Sequence, residues 1–138
     1  MNHAKRAILG LSLALLLAGS AAAATAPRKA YPTGVFAVGG HTVSAADVLD
    51  ARAIPDMAGK PSLMVTLTPA AAAAIHADAQ TRLACTLDGK PLGSSPGDAL
   101  VSDHVLQLSG DFGDYGATAA LARRISGHDP VPDSESDE

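Results

Sequence analysis

The feature that most restricts the fold of this chain is an alternating apolar segment that leads directly into a helix start. Residues 63–67 repeat with the period of two that is typical of a strand with one buried face. Thr68 then offers a side-chain oxygen for an N-cap, and Pro69 suits the first helical position, where the missing N–H is not needed. The pattern predicts a strand followed at once by a helix that ends near Ala79. The apolar positions of the strand are Leu63, Val65 and Leu67.

A second local pattern predicts a β-hairpin. Asp88-Gly89 is a dipeptide preferred in two-residue hairpin turns, and it follows a predicted strand over 82–87. Lys90–Leu92 forms the return, where Pro91 indicates an edge or a short strand because proline cannot donate to a ladder. Residues 93–97 are predicted to form a loop.

The other elements complete an α+β domain. Asp114 is predicted to cap a final helix with Ala117, Leu121 and Ile125 on one face, and Gly127 to stop it. The order is β-α-β-β-β-α, which predicts a small, mostly antiparallel sheet with helices packed on one face. The remaining predicted elements are a strand near 35–38, a short helix from a Ser44/Asp47 capping box to about Leu49, an extended segment over 51–54, a loop over 55–61, and a strand over 104–109 preceded by Leu100 and Val101.

The first 24 residues have the composition of a secretory signal. Lys5 and Arg6 precede an apolar run over 7–18, and the alanines at 21–24 offer cleavage sites. We expect cleavage after Ala24 and export to the periplasm; a retained membrane anchor is the alternative. The mature chain would begin with a flexible lead-in over 25–40.

The carboxyl end is acidic and has nothing to bury, so residues 128–138 are predicted to form a disordered tail. A solvated tail that aids solubility is one interpretation, and a tether for a basic partner or for cations is another.

Composition argues against several classes of function. The formal charge is −4 and becomes −6 without Lys5 and Arg6, and the chain has no Trp, so nucleic-acid binding is not expected. Cys85 is alone and shares a strand face with Leu83 and Leu87, which favours an inert buried thiol over a reactive one.

Histidines and acidic residues are scattered, without the spacing of a metal site, and no nucleophile elbow or phosphate loop is present. We therefore expect no metal, no cofactor and no catalytic residues, and we do not expect an enzyme.

Four segments, taken in order, resemble the head subdomain of the first periplasmic domain of SecD, the accessory subunit of the Sec translocase. The resemblance spans about residues 41–127. The segments are His41–Ala51, Gly59–Ala74, the hairpin Leu83–Lys90 with Leu92 and Pro96, and Leu108–Phe112 with Ala117, Leu121-Ala122 and Gly127.

This resemblance implies the fold of the head, as a stand-alone exported protein, and a capacity to contact extended or unfolded polypeptide. A SecD subunit also has six membrane spans with carboxylates that couple proton flow to movement, and a base subdomain. The sequence shows none of these, so proton-driven pulling is not implied. The segment Lys90–Pro96 is one residue longer than its counterpart in the family.

The sequence thus predicts a non-catalytic binding module that contacts exported polypeptide, envelope proteins or the Sec machinery. The alternative is a structural or inhibitory envelope protein with one folded partner; a small hydrolase is a more distant one. An exposed strand edge can accept an extended peptide, so the hairpin is the predicted binding edge. Its residues are Leu87, Asp88, Gly89, Lys90, Leu92, Ser94 and Pro96.

Overall fold

The strands pair into two antiparallel sheets in the computed structural model, which describes residues 29–132. The four-stranded sheet contains Phe36–Val38 (β1), His41–Val43 (β2), Arg82–Leu87 (β5) and Lys90–Pro96 (β6), in the spatial order β2-β1-β5-β6. The three-stranded sheet contains Val48–Pro55 (β3), Pro61–Leu67 (β4) and Val105–Leu108 (β7), in the order β3-β4-β7. One antiparallel bridge, between Ser94 and Ser109, joins the two sheets.

Three α-helices accompany these strands in the described chain: Pro69–Ile75 (α1), Gly97–Asp103 (α2) and Tyr115–Ser126 (α3). The longest, α3, packs against β3 and β4, whereas α2 packs against β7 and α1. The predicted α+β class with antiparallel pairing is confirmed. The strands form two small sheets, and α2 adds an element to the predicted order.

The strand-to-helix junction forms as its sequence predicts. Alternate residues of β4 are fully buried, and the Thr68 hydroxyl accepts a hydrogen bond from the Ala71 N–H at 3.2 Å. The helix, however, ends at Ile75, because His76 adopts the left-handed conformation with φ 56°. Beyond it the Asp78 carboxylate accepts from the Gln80 N–H at 2.9 Å, a local bond that competes with helix continuation.

The final helix begins and ends where predicted. The Asp114 carboxylate accepts from the Ala117 N–H at 2.8 Å, and Gly127 caps the other end with φ 80°. Of the predicted face, Ile125 is buried and Leu121 packs partly buried against the core, whereas Ala117 is exposed. The residues that α3 buries are Thr118, Ala122, Ile125 and Ser126.

Three predicted segments were assigned the wrong structure. After Ser44 there is only a single 3-10 turn, Ala45–Asp47, and the serine side chain makes no capping bond, because the chain enters β3 at Val48. Residues 93–96 continue β6 instead of forming a loop. Leu100 and Val101 lie in α2, which starts after Pro96 without a side-chain cap and so lacks the usual sequence signal of a helix start.

Both ends of the described chain bind the C-terminal turn of α3. The Tyr31 N–H donates to the Gly127 carbonyl at 2.8 Å, and the Gly34 N–H donates to the Arg124 carbonyl at 3.0 Å. From the other end, the Asp129 carboxylate accepts from Arg123 at 2.8 Å and from the Tyr31 hydroxyl at 3.0 Å. The lead-in and the start of the acidic tail are therefore held against the domain.

The predicted signal at 1–24 and the tail residues 133–138 lie outside the described residues, and the domain boundaries stay predictions. Between residues 29 and 132, no helix is both long enough and apolar enough to span a membrane.

One core contains apolar side chains from both sheets and from all three helices. Its largest fully buried members include Phe36, Leu63, Leu67, Leu106, Leu108 and Ile125. Cys85 belongs to this core with 1% of its surface exposed, as the alternation of β5 predicts. Burial raises the pKa of its thiol to about 12.

We expect the Cys85 thiol to resist alkylation at pH 8 in the folded protein and to react once urea unfolds the chain. Above the ordinary pKa of 9.0 the unfolded state loses the thiol proton while the folded state keeps it. The free energy of unfolding should then fall with pH between about 9 and 12, by at most about 1.4 kcal/mol per pH unit from this group. Urea titrations at several pH values measure this slope, and Cys85→Ala should lack the thiol's share of it. Equal slopes in both proteins would contradict the assignment.

Candidate functional site

The predicted binding edge borders an open groove of about 470 Å³. One wall is the start of β6, the facing wall is the loop after β7, and α3 closes one side. The floor and walls are mostly apolar. The lining residues are Leu87, Lys90, Pro91, Leu92, Gly93, Gly110, Asp111, Phe112, Leu121 and Arg124.

The turn at the end of this groove requires two left-handed residues. Asp88 has φ 53° and Gly89 has φ 79°, as expected for a two-residue hairpin loop of the Asp-Gly type. The turn aligns Leu87 with Lys90 across the hairpin, and an irregularity follows, so that Thr86 pairs with Pro91 and Cys85 with Gly93. This extra residue on β6 is the bulge that turns Leu92 into the core, where it is 7% exposed.

Asp88 ties the turn to two other parts of the domain. One carboxylate oxygen accepts from the Val35 N–H at 2.8 Å, and the other accepts from the Arg124 guanidinium of α3. The Asp88 N–H also donates to the Val35 carbonyl at 2.8 Å. Asp88 therefore fixes the position of the hairpin and is not a free member of a binding edge.

The second half of β6 is covered by the segment that follows β7. Ser94 bridges to Ser109, and its hydroxyl accepts from the Arg82 guanidinium at 3.0 and 3.1 Å. Ser95 is fully buried, and its hydroxyl accepts from the Gln107 N–H at 2.8 Å. Only the stretch Lys90–Leu92 remains available as an open edge.

The open stretch suits side-chain contacts better than strand addition. Pro91 has no N–H, so the ladder that an added strand would need is interrupted at the middle of this short edge. The apolar groove beside it offers a different kind of contact, in which side chains of a bound segment enter between β6 and Phe112. The strand-addition prediction stays untested, and the geometry favours groove binding.

The structure brings only part of the predicted set together. Leu87, Lys90 and Leu92 line the groove, and Gly89 forms the turn at its end. Ser94 and Pro96 lie farther along β6, beside Ser109 and α2, and do not line it. The lining residues outside the predicted set are Pro91, Gly93, Gly110, Asp111, Phe112, Leu121 and Arg124.

The charges around the groove are few. Lys90 and Asp111 are exposed on opposite walls, and Arg124 is paired with Asp88. Among residues 29–132, no three His, Cys, Asp or Glu side chains are close enough together to hold a metal ion. The groove is thus an open recess with apolar side chains in its lining and the Lys90 ammonium on one rim.

Comparison with solved structures finds similar folds in two structures of SecDF. One is the crystal structure of SecDF in its super-membrane-facing form, with 27% identity and a TM-score of 0.50 over 65% of this chain and 13% of that chain. The other is SecDF described as a membrane component that enhances protein export, with 26% identity and a TM-score of 0.50 over 65% of this chain and 43% of that chain. The chain has a SecD-like fold.

The fold that the ordered motifs implied is thus confirmed, whereas assignment to the head subdomain and stand-alone status stay predictions. The chain spans less than half the length of either SecDF chain that it matches. No protein-family model matches this SecD-like chain, and no curated protein matches it.

Substitution of Asp88 should separate its hydrogen bond with the Val35 N–H from its ion pair with Arg124. Asp88→Asn keeps an oxygen for the Val35 N–H and tolerates the left-handed backbone, so we expect it to lower the free energy of unfolding by less than about 1 kcal/mol. Asp88→Ala removes that acceptor and places a less tolerant residue at φ 53°, so we expect a loss of about 2–3 kcal/mol. Urea denaturation measures both. Equal losses would mean that the ion pair with Arg124 dominates.

Gly93 should be intolerant of any side chain. Its φ is 110°, and a Cβ there would overlap the Ser109 carbonyl oxygen. Gly93→Ala should therefore lower the free energy of unfolding by about 2–5 kcal/mol, the sum of backbone strain and overpacking. Gly89→Ala is the matched control, because its φ is 79° but no atom lies within 4 Å of the added carbon. It should cost only about 1–2 kcal/mol. Similar losses in thermal or urea unfolding would show that β6 can separate from the segment after β7.

Proposed function

We propose that this protein is a non-catalytic, exported accessory module of protein export, which contacts extended polypeptide through the groove between β6 and Phe112. The proposal includes removal of the signal over 1–24 and residence in the periplasm. The observation that carries it is the SecD-like fold, at 26–27% identity to SecDF, combined with an open apolar groove at the hairpin.

The shape of the groove supports binding to an extended segment. Its volume of about 470 Å³ is within the range of sites that hold small ligands, so it has room for a few side chains. It is open to solvent, and one wall is the start of β6, where Pro91 is exposed. A folded domain presents such extended apolar segments rarely, whereas an unfolded polypeptide presents many.

The rigidity of the groove also supports this role. Leu92 is buried in the core, and the turn beside it is held by Asp88 through Val35 and Arg124. A preformed site loses less conformational entropy on binding, so weak contacts with many sequences become sufficient. The proposed partners are therefore exported polypeptides in transit, with the Sec machinery as a neighbour.

The second candidate is a dedicated envelope protein that binds one folded partner. Val35 favours it, because this large apolar side chain is 59% exposed beside the hairpin turn, and exposed apolar surface often marks a protein-binding site. The two candidates differ in the number and the stoichiometry of the proteins bound.

In-cell photo-crosslinking tests the proposal. A photoreactive phenylalanine derivative is placed at Lys90, which is exposed on one rim, and at Phe112, where it preserves an aromatic ring. Gln80 is the control position, because it is exposed beyond the opposite end of the β5–β6 hairpin. The adducts are identified by mass spectrometry.

We expect many unrelated exported polypeptides from Lys90 and Phe112, and few from Gln80. A single dominant adduct with one folded envelope protein would replace the proposal by the dedicated-partner function. Equal adducts from all three positions, or none from the groove positions, would contradict a role for the groove.

A further inference from the structure

The groove at the hairpin has a neighbour that shares one of its walls. A second groove, of about 420 Å³, is lined by Lys60, Pro61 and residues 110–113. Gly110, Asp111 and Phe112 line both grooves, whereas each lysine lines only one. The loop that carries Phe112 is therefore a partition between two recesses, with Lys90 on one side and Lys60 on the other.

Backbone positions show how short the path across this partition is. The register of β4 with β7 pairs Leu63 with Leu108, and Pro61 and Gly110, each two residues farther along, both line the second groove. On the other side, a Cβ built on Gly110 would lie 3.1 Å from the Leu92 carbonyl oxygen of β6. Adjacent strands lie about 4.8 Å apart, so the path from β6 to β4 is about 10 Å, the length of three extended residues.

The two outer lysines are available for a ligand. Both side chains are exposed, and in the described part of the chain neither ammonium lies within salt-bridge distance of a carboxylate. The backbone that carries Lys60 is held in place, because the Asp56 carboxylate accepts from the backbone N–H groups of Ala58 and Lys60 at 2.9 and 2.8 Å. The formal charge of the protein is −4, yet each of the two neighbouring grooves has an exposed lysine in its lining.

The loop that the two grooves share has the opposite charge. Asp111 is exposed on the shared loop, and the one hydrogen bond that its side chain makes in the described chain, from the Gly113 N–H, is long at 3.4 Å. An acidic ligand residue there would be repelled, and an apolar or neutral one would not. Apolar surface from Leu92, Phe112 and Pro61 lies on both sides of it.

We infer that the two grooves form one track for a short extended peptide, with apolar side chains at its centre and acidic side chains at both ends. The acidic ends pair with Lys60 and Lys90, and the apolar residues enter the recesses on either side of Phe112. This inference rests on the proposed function and adds a preference among polypeptides: segments that are apolar inside and acidic outside.

Fluorescence polarisation with labelled heptapeptides tests the preference. The probes are Glu-Ser-Leu-Ser-Leu-Ser-Glu, its counterpart with lysine at both ends, and a counterpart in which both leucines are serine. We expect the acid-ended leucine peptide to bind at least fivefold more tightly than the lysine-ended one, and the serine peptide to bind too weakly to measure. The advantage of the acidic ends should shrink as salt is raised.

Charge-matched variants locate the contacts. Lys60→Gln and Lys90→Gln each lower the net charge by one, as does Gln80→Glu at the far end of the hairpin. Each lysine variant should weaken the acid-ended peptide about threefold, and the double variant about tenfold. Gln80→Glu should change it less than 1.5-fold, and all variants should keep their affinity for the lysine-ended peptide or gain some.

The outcomes separate this inference from the proposed function. If both leucine peptides bind equally and the lysine variants have no effect, the inference is wrong while polypeptide binding stands. If no leucine peptide binds and Lys90 gives no polypeptide adducts in cells, both are wrong. If the lysine variants affect only adsorption to vesicles of anionic lipid, the cations serve a membrane surface and the inference is also wrong.

Discussion

The close approach of β6 to the segment after β7 is the constraint on which the rest of the structure depends. It is the place where the two small sheets meet, through the Ser94–Ser109 bridge and the bond from Gln107 to the Ser95 hydroxyl. Only hydrogen fits at Gly93, because any larger group would occupy the space of the Ser109 carbonyl. Neither sheet alone would bury a complete core. The contact between β6 and the segment after β7, here called the seam, allows side chains from both sheets to form a single core.

The seam also creates the candidate site. By covering β6 from Gly93 onward, it leaves a short edge at Lys90–Leu92 and places Phe112 opposite it. Asp88 then connects this edge to Val35 and to Arg124 at the end of α3. The groove is therefore built from segments far apart in the chain, each held by a bond made for structural reasons.

Local signals in the sequence were sufficient where one residue type has one physical reason to occupy a position. Thr68 and Asp114 cap helices, Asp88-Gly89 turns the hairpin, and alternation predicts the buried face of β5. The split into two sheets was not predictable, since it depends on a contact between β6 and β7 that no local pattern encodes. Helix α2 was missed because Pro96 offers no capping side chain, and its glycine at 97 is there to fit against the Asp78 carbonyl.

Only the part of the site formed by local sequence could be predicted. The hairpin supplied Leu87, Lys90 and Leu92, whereas Phe112 and Leu121 reach the groove only through the tertiary fold. Phe112 did fall within a motif of the SecD resemblance, but its alignment position gave no sign of where its ring would lie. Asp88 was placed in the binding edge because the whole hairpin was expected to be an exposed edge that could accept a peptide strand, and its bond to the Val35 N–H became visible only in three dimensions.

The two ends of the described segment, residues 29–132, both lie against the last turn of α3, and this has a topological consequence. The Lys29 carbonyl lies 3.1 Å from the Nδ1 atom of His128, so the polypeptide enters and leaves the domain at nearly the same point. A domain with adjacent ends can be inserted into a loop of a host protein, or circularly permuted, with little distortion of either partner. The same fold can therefore occur as a separate protein or as a domain inserted in a larger one.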